Sequence, residues 1–406
     1  MKNKKILIKI KNLIFITSFL VLAATHCSPS FAMTREEFLP KVFQTLEYTL
    51  PNKNLTHTEG RLTNANAVRL ALEAMGWDFA ITAYGRVTLL PEWSDKDPVF
   101  EIASKMTPSA PEVLLSAFDK PFSADNLPIL CDWLNKCKKN VSWKASFSWE
   151  GTELILSKRG VGNPSGSANG DLEKGINEPL YMAMLAVDIK KVPCQIVTAV
   201  MVGSKKATLS TIAEENYNVI GGINGGYFAG ANAIGILRTQ GRMNNPSFWP
   251  GRSAFGWNQN GQTMFIDGET TANISKNPKY DIYTEVLQAG PLLVKDGQLV
   301  NNTEKIHENV LNKRHPRTLV GTDGKRIIWA VIDGRNNMHS VGATIQETRK
   351  TCLHMGLKTA LNLDGGGSSS IWWRGFTFTS PSNSKEFERP IPYAILMFQD
   401  GSGVRD

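Results

Sequence analysis

The spacing of apolar positions along this chain has two regimes, and the change falls near residue 147. Before it, apolar residues recur at helical spacing. TREEFLPKVFQTLEYTL opens on Thr34 with Glu37 three residues on, a capping-box pairing that predicts a helix start. In TNANAVRLALEAMGW, Val68, Leu72 and Met75 share one helical face and Gly76 is a stop signal. DNLPILCDWLNKC predicts a third helix. FSWEGTELILS, over residues 147–157, reads as a strand pair turning at Glu-Gly. The Gly-, Ser-, Asn- and Pro-rich KRGVGNPSGSANGDLEKGINEP that follows reads as a linker or mobile loop.

From Leu180 onward the pattern becomes short apolar runs separated by turns. NQNGQ, VKDGQ and GTDGK each place a turn dipeptide between two such runs, which predicts hairpins. RIIWAVIDG, then the helical TIQETRKTCLHMG, then KTALNLDGGG reads as strand, helix, strand. Such a unit can form a crossover between parallel strands. On that reading Asp333 and Asp364 end neighbouring strands on one sheet edge, the edge where open sheets bind ligands. The expected fold class is α+β: a mixed, largely antiparallel sheet with flanking helices, plus a smaller, mainly helical N-terminal domain. The expected division is 1–32 signal peptide, 33–150 helical accessory domain, 151–179 linker or mobile loop, and 180–406 catalytic domain.

The first residues change how the charge is read. MKNKKILIKIK, the apolar LIFITSFLVLAAT and the small-residue ending at Ala32 form a secretory signal pattern, with cleavage expected after Ala32. His26 stands where a lipoprotein signal at Cys27 would want a small residue, and the apolar run is short for a bilayer span. The 406 residues carry a net charge of +8, of which Lys2, Lys4, Lys5, Lys9 and Lys11 supply five with no acid to offset them. The remaining +3 does not imply a nucleic-acid partner. Export to an oxidising compartment, which would be secreted, periplasmic or cell-envelope, permits disulfides among Cys131, Cys137, Cys194 and Cys352. No CxxC or Cys/His cluster points to zinc.

Candidate chemistry gathers in a few segments. ALNLDGGGSSSIWW ends an apolar strand in Asp364, three glycines and three serines. Glycines allow close backbone approach, and their N–H groups with serine hydroxyls can cradle an anion. The plain alternative is an Asp-Gly turn of the kind expected at Asp296 and Asp323. VIGGINGGYF sets Asn224 among four glycines before Tyr227, and reads equally as a tight bend. HPRTLVG supplies His315 and Arg317, and VIDGR supplies Asp333 and Arg335; arginine is a natural bidentate partner of phosphate. Glu347, three residues after Thr344, fits a capping box, with catalysis the alternative. Trp249, Trp257, Trp372 and Trp373 offer either sugar-stacking faces or core. GxSxG, Walker A, GxGxxG after a strand and HExxH are all lacking.

Taken in order, INGGYF, AGPLLVKDG, HPRTLVG, VIDGR, SVGATIQE, NLDGGGSSS and ERPIPYAILM resemble the phosphodiester glycosidase family, that of the mannose-6-phosphate uncovering enzyme. The resemblance covers residues 180–400; Ala343 stands where many members carry Met. It implies a hydrolase that splits a sugar from a sugar-1-phosphodiester. In the expected site Asp364 or Asp333 acts as nucleophile, base or oxocarbenium stabiliser, and Asn224 orients substrate. Arg317, Arg335, Gly366, Gly367, Ser368 and Ser369 hold the phosphate, Tyr227 borders the substrate, and Arg389 closes the site. The expected partner is a glycan or sugar phosphodiester; no cofactor is assigned, and a divalent cation is the one left open.

Two other readings stand beside this one. The helical N-terminal segments resemble S-layer homology repeats, which grip cell-wall glycans, so a wall-bound glycan-binding protein is one. A phosphodiesterase assisted by a divalent cation on Asp333 and Asp364 is the other.

Overall fold

The computed structural model describes residues 32–47, 62–77, 98–163, 178–268, 274, 277–301, 304, 306–383 and 388–399. The signal segment before Ala32 and residues 164–177 of the expected linker lie outside these. The chain divides into two compact units, one from residues 1–71 and 110–135, the other from 72–109 and 136–406. No helix among the described residues is long and apolar enough to cross a membrane.

The smaller unit is helical. Its first helix, α1 (Arg35–Leu46), starts at Thr34, and both arms of the expected capping box form: the Thr34 hydroxyl accepts from Glu37 N–H and Glu37 accepts from Thr34 N–H. Along the chain α2 (Asn64–Ala74), α3 (Pro98–Lys105), α4 (Glu112–Leu115) and α5 (Leu127–Lys139) follow; α4 belongs to this unit, α3 to the larger one, and the division falls within α2 and α5. None of Cys131, Cys137, Cys194 and Cys352 is in a disulfide.

The larger unit is built from antiparallel sheets. The biggest has eight strands in the order β1 (Ser142–Trp149), β2 (Thr152–Arg159), β3 (Leu180–Val187), β16 (Ile327–Ile332), β15 (Arg317–Thr322), β17 (Thr359–Asn362), β13 (Leu292–Lys295) and β14 (Gln298–Leu299). A second has the order β11 (Thr263–Ile266), β10 (Ala254–Trp257), β12 (Glu285–Gln288), β8 (Leu237–Thr239) and β9 (Arg242–Asn245). A third runs β19 (Phe376–Thr377), β18 (Ile371–Trp373), β5 (Val219–Asn224), β20 (Tyr393–Phe398) and β4 (Cys194–Thr198). The short hairpin β6 (Phe228–Ala229) and β7 (Asn232–Ala233) completes the set. All three turn dipeptides become hairpins: β10–β11, β13–β14 and β15–β16.

Two expectations change. The 147–157 strand pair is longer, and its second strand pairs with β3 along its whole length. The segment expected as a linker therefore begins inside a sheet: alternate side chains of β2 (Thr152, Leu154, Leu156, Lys158) are buried, which a free linker would not do. Secondly, β16 and β17 are not neighbours. Both pair antiparallel with β15, which lies between them. They are parallel to each other, joined through helix α8 (Ile345–His354), but two strand spacings apart, about 10 Å. An apolar run does not reveal which strand lies beside it, so the inserted strand was not legible locally.

Burial explains the central strands. Every residue of β16 (IIWAVI) is buried, as expected for a strand covered on both faces. One cover is α8, whose Ile345 and Cys352 pack with Leu319, Ala330 and Ala360. On the third sheet, helix α6 (Leu209–Glu214) packs Leu209, Ile212 and Ala213 on Ala394, Leu396 and Phe398.

Candidate active site

The start of β15 and the end of β17 meet the end of β5 at one edge. Asp364 follows β17 by two residues, and its N–H points to Gly225 O at 3.4 Å just past β5. Asn224 welds the junction. Its amide nitrogen donates to Asp364 O (2.9 Å) and Gly225 O (3.0 Å), and its oxygen accepts from Thr318 Oγ1 (2.9 Å) and Ser370 N–H (3.1 Å). All four hydrogen-bonding positions of this wholly buried amide are used inside the protein. Thr318 has one hydroxyl hydrogen; giving it to Asn224, it accepts from Ser369 at 3.1 Å. Gly225 is required by packing, since a Cβ there would lie 2.4 Å from the Tyr393 ring.

After Asp364 the chain makes a tight turn over Gly366–Ser368. Gly366 has φ +61, a left-handed conformation that glycine adopts without cost, and a Cβ on it would come 3.0 Å from Arg335 Nη2. A Cβ on Gly367 would meet the Asn383 side chain at 2.3 Å. The glycines thus let Arg335 and Asn383 lie directly on the turn. Arg335 donates from Nη1 to Asn383 Oδ1 (3.1 Å) and from Nη2 to His315 Nδ1 (3.3 Å). His315 then carries its proton on Nε2 and donates it to Asn309 O at 3.1 Å. Burial first, and Arg317 second, hold His315 below its usual range, consistent with a neutral ring.

Arg389 donates from Nη1 to Ser368 Oγ at 3.2 Å. It also reaches Asp364 electrostatically. Burial pushes the Asp364 carboxyl up to about 6, opposed by the Ser368 hydroxyl, Arg389 and the Gly365 N–H, which donates to Asp364 Oδ1 at 2.9 Å. Burial first, and the charge of Arg389 second, hold Arg335 below its usual range. Tyr227 completes the group: its hydroxyl donates to Gly290 O (2.7 Å) and accepts from Asn362 Nδ2 (3.1 Å). Burial and then Asp364 push its phenol up to about 12. Trp249 packs edge-on to Tyr227 at 5.6 Å and lies over the Arg252 guanidinium at 4.2 Å.

Other expected residues stand elsewhere. Asp333 is buried at the end of β16, where Oδ2 accepts from His339 Nε2 (2.9 Å) and Ser380 N–H (2.8 Å). β15 separates it from Asp364, so the two carboxylates do not form a pair. Arg317, between them, gives Nε to Ala343 O (2.8 Å) and Nη2 to Val310 O (2.6 Å) and Lys313 O (3.1 Å). It braces the chain before β15, and burial lowers it to about 10. Glu347 forms the capping box with Thr344 and pairs with Arg314 at 2.8 Å. Trp257, Trp372 and Trp373 are core; of the four tryptophans weighed from sequence, Trp249 alone is part of this group. Among the described residues no three His, Cys, Asp or Glu side chains lie together as a metal site would need.

Sequence reasoning missed Glu388, Asn383, Gln288 and Arg252. Gln288 is wholly buried and grips the Trp249 loop, accepting from Trp249 N–H (2.9 Å) and donating to Trp249 O (2.6 Å) and Arg252 O (3.0 Å). Only Glu388 had a signal, its place beside Arg389 in the ERPIP segment.

This arrangement, an acid of raised pKa beside two guanidinium groups on a glycine turn, falls within a recognised domain. Residues 217–398 match the family model of the phosphodiester glycosidases. This segment is a phosphodiester glycosidase domain. Solved structures of similar fold include a Synechocystis protein and the catalytic domain of zebrafish N-acetylglucosamine-1-phosphodiester alpha-N-acetylglucosaminidase, both at 17% identity and TM-score 0.50. Each match covers 64% of this chain, with 64% of the Synechocystis chain and 88% of the zebrafish one. A Burkholderia pseudomallei protein matches at 12% identity and TM-score 0.50 over 64% of this chain and 96% of its own. No curated protein matches the sequence. The phosphodiester glycosidase domain thus contains the whole Asp364 group, from Tyr227 to Arg389.

Proposed function

We propose that this chain hydrolyses a sugar-1-phosphodiester of an extracellular or cell-envelope glycan, releasing free sugar and a phosphomonoester. The observation that carries this is the Asp364 carboxyl within the field of Arg389, on a glycine turn that Arg335 lies against at Gly366. Ordinary glycosidases need a protonated acid for an alkoxide leaving group and a second carboxylate opposite it. Here Asp333 is not available as that second group. A phosphate leaving group removes the need, because its second pKa is about 6 and it departs without being protonated.

In the proposed reaction Arg335 and Arg389 bind the non-bridging phosphate oxygens and stabilise the charge that grows as the bond from C1 to the bridging oxygen breaks. The bond's electron pair goes to the phosphate. Asp364 in its ionised form faces the anomeric carbon, either taking a proton from the attacking water or adding to C1 before water displaces it. Asn224, with every hydrogen bond spent, acts on this chemistry by holding the Asp364 loop. The basic and apolar start of the chain supports an exported setting.

The test is incubation with a synthetic sugar-1-phosphodiester or a UDP-sugar in isotopically labelled water, with and without EDTA. Label in the released sugar supports cleavage at C1. Label in the phosphate would replace this reading with P–O cleavage, and no release with bound glycan would point to a binding protein.

A further inference from the structure

Glu388, the neighbour of Arg389, accepts four hydrogen bonds. Its Oε2 accepts from the Ser210 N–H (3.2 Å) and the Ser210 hydroxyl (2.6 Å), in the first turn of α6. Its Oε1 accepts from the hydroxyls of Ser370 and, at 3.2 Å, Thr377. These partners belong to α6, the loop entering β18, and β19. A carboxylate has about four acceptor positions, so this side chain has none left for a ligand. Arg389, the next residue, is held far more sparingly: among the described residues it makes one hydrogen bond, to Ser368.

We infer that Glu388 is a positioning residue, which pins the backbone beside the glycine turn and so aims the Arg389 guanidinium at the substrate phosphate. The inference rests on the reading of Arg389 as an anion clamp. An arginine on an unanchored segment loses backbone and side-chain freedom when it closes on an anion, and that cost weakens binding. With Glu388 fastened on three elements, the backbone part of the cost is met on folding. The serine run then divides its labour. Ser368 holds Arg389, Ser369 joins Thr318 and Asn224, and Ser370 holds Glu388.

The experiment compares wild type, Glu388→Ala, Glu388→Gln, Arg389→Ala and the Glu388→Ala/Arg389→Ala pair, each checked for folding by circular dichroism. Glu388→Ala is expected to raise KM for a sugar-1-phosphodiester about tenfold, the loss of one charge-assisted contact, with a smaller change in kcat. Arg389 is the guanidinium that acts on the Asp364 carboxyl, Tyr227 and Tyr393 also face it, and Arg335 lies against the next turn at Gly366. Loosening Arg389 should therefore move the acid limb of kcat/KM to higher pH, in the same direction as Arg389→Ala. The double variant should be no worse than Arg389→Ala, and Glu388→Gln, which keeps one acceptor oxygen, should fall between wild type and Glu388→Ala. Additive losses, or an acid limb unmoved in folded Glu388→Ala, would overturn the inference. Inorganic phosphate gives a readout separate from turnover: it should raise the melting temperature of wild type and not of Glu388→Ala. If wild type releases no sugar, the proposed activity fails while the phosphate shift still decides the role of Glu388; an equal shift in both proteins counts against it.

Discussion

Burial of the Asp364 carboxyl carries a cost. A carboxyl pushed up to about 6 is worse solvated as an anion than one in an unfolded chain, whose pKa is about 4. Between those values the native state keeps a proton that the unfolded state has lost. Stability therefore falls as pH rises through this window and stays lower above it. Asp364→Asn should remove that penalty, making the protein more stable at pH 8 by on the order of 1–2 kcal/mol, a figure reduced for partial exposure, and no more stable at pH 4. Urea unfolding at the two pH values checks this, and an equal change at both would contradict it. The same substitution should cut sugar release by about 100- to 10,000-fold, the range for removing a group that handles the proton. The sequence made Asp364 visible, because an acid before three glycines is more than a turn requires. It could not separate Asp364 from Asp333, since both end apolar strands and both precede glycine.

At the scale of elements, capping decides which acids are free. Glu347 and Thr344 hold each other at the start of α8, the Thr344 hydroxyl accepting from Glu347 N–H at 3.1 Å and Glu347 from Thr344 N–H at 2.8 Å. Glu347 also neutralises the buried Arg314. Glu347→Gln should therefore cost stability, about 2–4 kcal/mol, because it leaves a buried guanidinium partly unpaired. Its kcat/KM should stay within about threefold of wild type, because Glu347 is assigned no part in proton transfer. Thermal unfolding and steady-state kinetics on the same preparation separate the two effects; a large kinetic loss with little change in melting temperature would restore the catalytic reading. Capping boxes and hairpin turns were legible because they are local: Thr34 with Glu37, Thr344 with Glu347, and the Asp-Gly pairs each sit within a few residues. The position of β15 between β16 and β17 was not, because lateral strand order is fixed by packing partners distant in sequence.

For the whole molecule, the unpaired Cys131, Cys137, Cys194 and Cys352 bear on how the chain is held together. Cys352 lies on the buried face of α8, and burial pushes its thiol up to about 12, which makes it a poor nucleophile. Burial likewise pushes Cys137 up to about 12. A reductant should leave the melting temperature unchanged, and four thiols should become reactive in denaturant in a chain cleaved after Ala32. A drop in melting temperature with dithiothreitol would show a bridge that this fold does not contain. Composition allowed for disulfides and could not say whether the core suffices without them; the three sheets, with continuous apolar strands such as β16 and β20, supply that core.

The place of β20 has a consequence for how the protein comes into being. This strand, the last one described, is not at an edge but between β5 and β4, and it carries the Tyr393 ring against Gly225. A chain made from its N-terminus cannot finish this sheet until Tyr393–Phe398 has been synthesised, long after β4 and β5. Until then β5 and β4 each lack a neighbour, and the Asp364 loop lacks the β5 junction in its finished form. The contacts that build the site span from Asn224 to Arg389, so their closure is slow and occurs late. Activity should therefore emerge as a single late event, with no shorter N-terminal fragment retaining a part of it.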